Sequence, residues 1–425
     1  MPDVAALTPA YVYDLDEVGR CHDRLRAALP APSDLYYSLK ANPHPVVVAR
    51  LAALGCRVEV CSTGELDAAL AAGVLPAHVL CTGPGKPDAE VAHALLSGVS
   101  LFSVDSPHGL DQVDRLAARH GLSVDCLLRV NDAVPTPGQG LAMTGVPSAF
   151  GADADWVEAE PERFTSRACA RLTGFHLYMG SNLTDQDALV AQFATSARTA
   201  RRLSDVLGIA PGVLDLGGGF GAPFARCGAS PDLTGLAERV ADVLDVTFPG
   251  WRHGGPRVAF ESGRYLTATC GRLRTRVLDV KVSHGRRVVV LESGIHHLGG
   301  MSGLRRLPTL APELVRVHDT DERAVWSDVM VAGPLCTPLD TWARSATVEA
   351  LRPGDVVEVP NVGAYGLTAS LLAFLGHPAP HELVLDEGVV VHASRLTLSR
   401  SPVAGPPTEG EPTCLPSSSK CSVRS

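Results

Sequence analysis

No apolar run in this chain approaches the roughly 18 residues that a membrane-spanning helix needs. A long basic run is also missing, and the formal net charge over 425 residues is −9. That balance argues against nucleic acid or an anionic membrane as the main partner. Cysteine pairs are absent: the 11 cysteines are scattered singly, with no C-x-x-C. Such a set fits reduced thiols in a cytosol better than a disulfide framework, and no zinc or other metal signature is read. The opening "MPDVAALTPAYVYDLDEV" has no basic segment ahead of an apolar core. A secretory signal is therefore not expected, and a cytoplasmic location is.

What is present suffices for two domains. Apolar residues make up 45% of the chain. Eight short β-like runs lie between residues 35 and 261: 35–39, 57–61, 78–82, 100–105, 124–130, 172–179, 213–217 and 257–261. Alanine- and leucine-rich segments with helical spacing separate several of them, such as "DALVAQFATSARTARRLSDVLG". Eight alternating units predict a closed (β/α)8 barrel over residues 30–270, with a doubly wound open sheet as the alternative. Beyond residue 270 the texture is strand-rich and broken by Gly and Pro. This predicts an all-β domain over 271–400, which residues 1–29 would join through "AYVYDLDEV". The Pro- and Ser-rich stretch 401–425 reads as a disordered tail.

In a barrel the chemistry gathers at the carboxyl ends of the strands. Here the successive ends carry Lys40, Glu59, "TGPGK", Asp105, then Arg129, then His176 with Tyr178 and Ser181, then "GGGFG", and finally "ESGR". The run Gly217, Gly218, Gly219 lets backbone N–H groups converge on an anion. With Arg264 on the next loop it predicts a phosphate site, against the alternative of a tight packing turn. Lys40, at the mouth near that site, can form a Schiff base with pyridoxal phosphate; the alternative is a snorkelling surface lysine. Glu261 suits a pyridine nitrogen that must stay protonated, or else simply pairs with Arg264.

Taken in order, "YYSLKAN", "VEVCSTGEL", "FHLYMGS", "LDLGGGFG", "ESGRYL", "GPLCTPLD" and "GAYGLTAS" resemble the fold-type III pyridoxal-phosphate decarboxylases over residues 10–398. This is the alanine racemase-like fold shared by diaminopimelate and ornithine decarboxylases. The resemblance implies that Lys40 is the Schiff-base lysine and that Glu59 and Arg129 surround the cofactor. Ser181, Gly217, Gly218, Gly219, Gly263 and Arg264 would cradle its phosphate, joined by Tyr365 from the second domain. Glu261 would face the ring nitrogen. Cys336 would act as an acid in the site of a neighbouring subunit, so a homodimer with shared sites is expected.

Three departures from the family pattern bear on substrate. Tyr178 stands where a histidine usually stacks on the cofactor. Thr337 stands where an acid usually meets a distal amine. The stretch 292–310 is longer than its counterpart and brings His296, His297, Arg305 and Arg306 toward the expected entrance. Arg305 and Arg306 would meet a substrate's far end, or else form a solvated basic turn. His176 and Asp340 are also expected on the substrate side. These departures resemble a natural-product branch that decarboxylates conjugated or carrier-bound amino acids in siderophore and butirosin assembly. Diaminopimelate decarboxylase, and a non-catalytic cofactor-binding or regulatory homologue, are the alternatives.

Overall fold

The protein is described here by a computed structural model covering residues 6–132, 144–299, 311–317 and 321–402. Of the stretch 401–425, read above as a tail, residues 403–425 lie outside the described residues, as do Arg305 and Arg306.

Eight parallel strands close into a barrel. They are β2 (Asp34–Ser38), β3 (Arg57–Val60), β4 (Val79–Cys81), β5 (Leu101–Val104), β6 (Val124–Asn131), β8 (Ala170–His176), β9 (Val213–Asp215) and β10 (Arg257–Ser262). The order β5-β4-β3-β2-β10-β9-β8-β6 is completed by pairing of β5 with β6, which removes both edges and excludes the open sheet. A two-residue strand, β7 (Ala152–Asp153), hangs on the end of β6. All eight predicted runs are strands. The sixth ends at His176 rather than Met179.

Local chemistry sets the helices between them. Ser62 caps the helix Thr63–Ala71 by accepting from Glu65 N–H, and Ser106 caps Pro107–Arg119 by accepting from Gly109 N–H. The latter buries Leu110, Val113, Leu116 and Ala117, a helical stripe laid against the barrel wall. Inside the barrel, Tyr36, Leu80, Leu127 and Ala259 form an apolar floor. Towards the carboxyl ends the interior turns polar, with Glu59, Ser103, His176, Asp215 and Glu261 all buried. This change positions the site.

The second sheet begins with the first strand of the chain. β1 (Ala10–Asp14) pairs antiparallel with β11 (Gly271–Ser283) and parallel with β17 (His381–Asp386). β11 is long enough to serve three neighbours: β1, then β16 (Val356–Val359), then β12 (Arg286–Leu291) past a bulge at Val277/Asp279. β14 (Val325–Ala332), β15 (Thr341–Glu349) and β18 (Val389–Arg395) extend the sheet, and the short β13 (Val315–Arg316) adds to β16. Among the described residues no helix is long and apolar enough to cross a membrane. The nine described cysteines are all free.

Candidate active site

Lys40 sits in a single 3-10 turn, Leu39–Ala41, that follows β2 directly. Its Nζ donates to both carboxylate oxygens of Glu59, at 2.9 and 3.1 Å. Glu59 is buried at the end of β3 and also accepts from the Thr82 hydroxyl. Burial works against the ammonium, but Glu59 and then Glu261 outweigh it and hold Lys40 well above its ordinary range. Burial likewise opposes the Glu59 charge, and Lys40 with the Thr82 hydroxyl overcomes it, so that carboxyl lies well below its usual range. The pair is therefore charged, with the lysine end 40% exposed toward the mouth and the glutamate end only 2% exposed.

Opposite this pair lies a cleft of about 360 Å³. Seven of the predicted residues line it together: Tyr178, Ser181, Gly219, Glu261, Gly263, Arg264 and Tyr365. The glycine loop is turned so that its carbonyls point away. Gly217 O accepts from Glu261 N, Gly218 O from Gln192 Nε2, and Gly219 O from Leu183 N. In a trans peptide the following N–H points the opposite way, so the N–H of Gly219 turns away from the helix Gln186–Leu207 that carries Gln192. A Cβ on Gly218 would stand 2.0 Å from the Glu261 carbonyl, so only glycine lets loop and strand approach this closely. Arg264 lies over the Tyr365 ring, 4.8 Å from its centroid.

Tyr365 comes from the second domain. Its backbone is left-handed, with φ of 55°, and its N–H donates to Ala41 O at 2.7 Å. Asn42 Nδ2 reaches Gly363 O at 2.9 Å beside it. The turn that carries Lys40 and the loop that carries Tyr365 are thus fastened to each other. Burial pushes the phenols of Tyr178 and Tyr365 above their ordinary range.

Several of the expected residues stand away from the cleft. His176 does not line it: it is fully buried, with Nδ1 2.9 Å from Ser103 Oγ and Nε2 3.2 Å from Glu261 Oε1, which places it behind Glu261. Asp340 does not line it either. It is buried, and its two carboxylate oxygens accept the N–H groups of Ile295 and Leu335, each at 2.8 Å. His296 and His297 turn inward rather than toward an entrance. Their rings lie 3.7 Å apart, and burial pushes them down to about 3 and about 4. Arg129 is buried against the Phe150 ring, 4.6 Å from its centroid; like Lys40, Glu59, Gly217 and Gly218, it is absent from the cleft lining. Cys336 and Thr337 lie on the loop between β14 and β15, and Cys336 is exposed; neither lines the cleft of its own chain.

Sequence reasoning missed Ser38, Thr82, Ser103 and Asp215. Each is a polar residue on or just after a barrel strand, and "TGPGK" and "LDLG" carried the signal for two of them.

Residues 15–268 match the family described as "Pyridoxal-dependent decarboxylase, pyridoxal binding domain". L-glutamyl-[BtrI acyl-carrier protein] decarboxylase of Niallia circulans is 32% identical over 90% of this chain and 89% of its own. The 2-[(L-alanin-3-ylcarbamoyl)methyl]-2-hydroxybutanedioate decarboxylase of Staphylococcus aureus (strain NCTC 8325 / PS 47) is 30% identical over 89% of this chain and 94% of its own. Among solved structures, diaminopimelate decarboxylase from Helicobacter pylori, complexed with L-lysine, has the same fold: TM-score 0.78, 24% identity, 92% and 93% of the two chains covered. The cleft fits the cofactor of that family. It offers Gly219 of the glycine loop and Arg264 for a phosphate, and a buried carboxylate, Glu261, whose Oε1 has no hydrogen-bond partner; Lys40 stands on the turn that follows the lining residue Ser38. With more than half its length matched and relatives at this identity across nearly all of it, the chain belongs to the pyridoxal-dependent decarboxylases.

Proposed function

We propose that this decarboxylase acts on an amino acid whose far end is already acylated or tethered, in siderophore or other natural-product assembly. The observation that carries the reading is Thr337. The residue beside Cys336 has no charge to offer a distal ammonium, and burying that ammonium unpaired would cost several kcal/mol. Two relatives support the reading by their names, which describe a glutamyl group on a carrier protein and an alanine linked through a carbamoyl group.

Pyridoxal phosphate, when bound, supplies the sink for the electron pair released as the Cα–carboxylate bond breaks. The chain's own residues do the rest. Lys40 would hold the cofactor through its amine. The glycine loop, Ser181, Arg264 and Tyr365 would hold its phosphate, and Glu261 would keep a proton on its ring nitrogen. Tyr178 would offer the ring an aromatic face without imidazole's charge. Cys336 would deliver the proton to the substrate Cα.

Cys336 is exposed and stands outside its own chain's cleft. This supports a homodimer in which Cys336 of the partner subunit completes each site. The test of function is mass spectrometry of the holoenzyme with free diamino acids and with their acyl or carrier-bound conjugates. Loss of carbon dioxide from the conjugates supports the reading. Preferential turnover of free meso-diaminopimelate replaces it with the lysine-pathway activity.

A further inference from the structure

Behind Glu261 the barrel holds two titratable side chains that the reaction above does not use. His176 on β8, Asp215 on β9 and Glu261 on β10 each offer an atom of ligand type, and these atoms lie within 4.8 Å of one another. Their exposures are 0%, 0% and 1%. Each also carries an atom without a hydrogen-bond partner: His176 Nε2, Asp215 Oδ2 and Glu261 Oε1. Nε2 and Oε1 are 3.2 Å apart, but their alignment does not make a hydrogen bond. Two further atoms are engaged, His176 Nδ1 with Ser103 Oγ at 2.9 Å and Asp215 Oδ1 with the N–H of Gly217 at 2.8 Å.

Two carboxylates this close, away from water, do not both keep a charge: one retains its proton. We infer that Asp215 is the one that retains it. Its proton points at the unfilled atoms of His176 and Glu261, and this leaves the negative charge of the pair on Glu261, the residue that faces the ring nitrogen. Asp215 is thus a positioning residue that acts through Glu261.

The surroundings favour this choice. Glu261 has Lys40 on its cleft side, and its field is among those that keep Lys40 charged. Asp215 faces His176 on β8, Glu261 on β10, Tyr36 on β2 and Glu59 on β3. Burial first, and then the charge of Glu261, push its carboxyl up to about 7; His176 and the Gly217 N–H pull the other way. The glycine loop gains from the same residue. Asp215 Oδ1 fixes the Gly217 N–H whether or not Oδ2 carries the proton, so the phosphate loop and the ring partner share one anchor.

This inference rests on the reading of Glu261 as the ring partner, but its test reads a proton and needs no substrate. Infrared difference spectra of the holoenzyme are recorded between about pH 6 and about pH 8.5. A protonated-carboxyl band is expected at the lower pH and not at the higher. It should shift on incorporation of aspartate labelled with ¹³C in the side-chain carboxyl, which separates it from glutamate and requires no variant. In Asp215→Asn the band should be missing, and the rate of cofactor release should lose at least about threefold of its variation over the same range. Glu382→Gln is the control for the other buried carboxyl that burial pushes up to about 7. The inference fails if no aspartate-labelled band is seen at the lower pH, or if the band survives in Asp215→Asn. It fails equally if the purified protein carries one divalent metal ion per chain that Asp215→Asn abolishes, since the three atoms would then be ligands. Free diamino acids proving to be substrates would overturn the proposed function and leave this inference standing.

Discussion

Glu59 grips Lys40 with both carboxylate oxygens, at 2.9 and 3.1 Å. An ammonium held this way cannot attack a carbonyl until it gives up its proton. Burial alone would lower the lysine; the Glu59 charge is what raises it. Glu59→Gln removes that charge, so the Lys40 ammonium should lose its proton at lower pH. Uptake of pyridoxal phosphate by the apoenzyme, followed by visible absorbance, should speed up with rising pH in both proteins. The profile of Glu59→Gln should lie at least about one pH unit lower, equivalent to about 1.4 kcal/mol. Coincident profiles would show that the pair does not set the reactivity of Lys40.

Borohydride treatment of the holoenzyme should fix the cofactor on Lys40 and abolish the visible band. Digestion and mass spectrometry locate the modified residue. Lys86 is the instructive competitor. It also lies at the barrel mouth, but its Nζ is tied to the carbonyls of Gly83 and Ser103 at 2.5 and 2.9 Å. A pyridoxyl group on Lys86, or on no lysine, would overturn the assignment.

The barrel was legible because β and α runs alternate with different periods, and because strand ends carry polar residues where a packed barrel would not need them. The cleft was legible where glycine, arginine and lysine coincide on neighbouring loops. Depth was not. His176 and Tyr178 both lie in the sixth run, and nothing in "FHLYMGS" says that one lies under Glu261 while the other lines the cleft. Nor was the burial of Asp340, expected on the substrate side, legible from its place in "GPLCTPLD". The counter-signal was glycine: a Cβ on Gly294 or Gly333 would fall 2.1 or 2.3 Å from the Asp340 carboxylate, so both positions are kept bare to admit it. Pairing of such distant residues is set by tertiary packing, which local pattern does not encode.

That carboxylate ties the loop carrying Cys336 to the loop carrying Ile295. Asp340→Ala should leave two N–H groups without acceptors, that of Leu335 buried and that of Ile295 half-buried, at about 1–3 kcal/mol for the buried one before relaxation. The melting temperature should fall, and turnover should fall further than stability alone explains, because the thiol loses its fixed loop. Absorbance of the bound cofactor should change little, since the cleft is lined by other residues. Asp340→Asn, which keeps one acceptor, should lie between. Full turnover in Asp340→Ala at a temperature where it is folded would remove Asp340 from any role in placing Cys336.

Cys336→Ala should bind cofactor normally and lose most of its turnover, or release a wrongly protonated product. The competing reading is a thiol with no chemical role. Subunit exchange separates the two. If Cys336 serves the neighbouring site, mixing Cys336→Ala with Lys40→Ala should regenerate one intact site per heterodimer. Activity should then recover to about a quarter of the wild-type level if half the dimers are mixed. Exchanged heterodimers without activity would place Lys40 and Cys336 in the same chain's site.

The substrate decides the last prediction. Thr337 gives the site no counter-charge for a distal ammonium, and its hydroxyl is already engaged as the acceptor for Leu339 N–H at 3.3 Å. Free ornithine, lysine and meso-diaminopimelate should therefore be poor substrates. An amino acid acylated at its far end, or carried on a protein, should be better by at least about tenfold in kcat/KM, or roughly 1.4 kcal/mol in transition-state binding. Thr337→Asp should reverse part of that preference. The added carboxylate restores a partner for the ammonium, so turnover of free diamino acids should rise while that of the conjugates falls. The ratio of the two kcat/KM values measures the change without depending on enzyme yield. A ratio that does not move would mean that another part of the site reads the far end of the substrate.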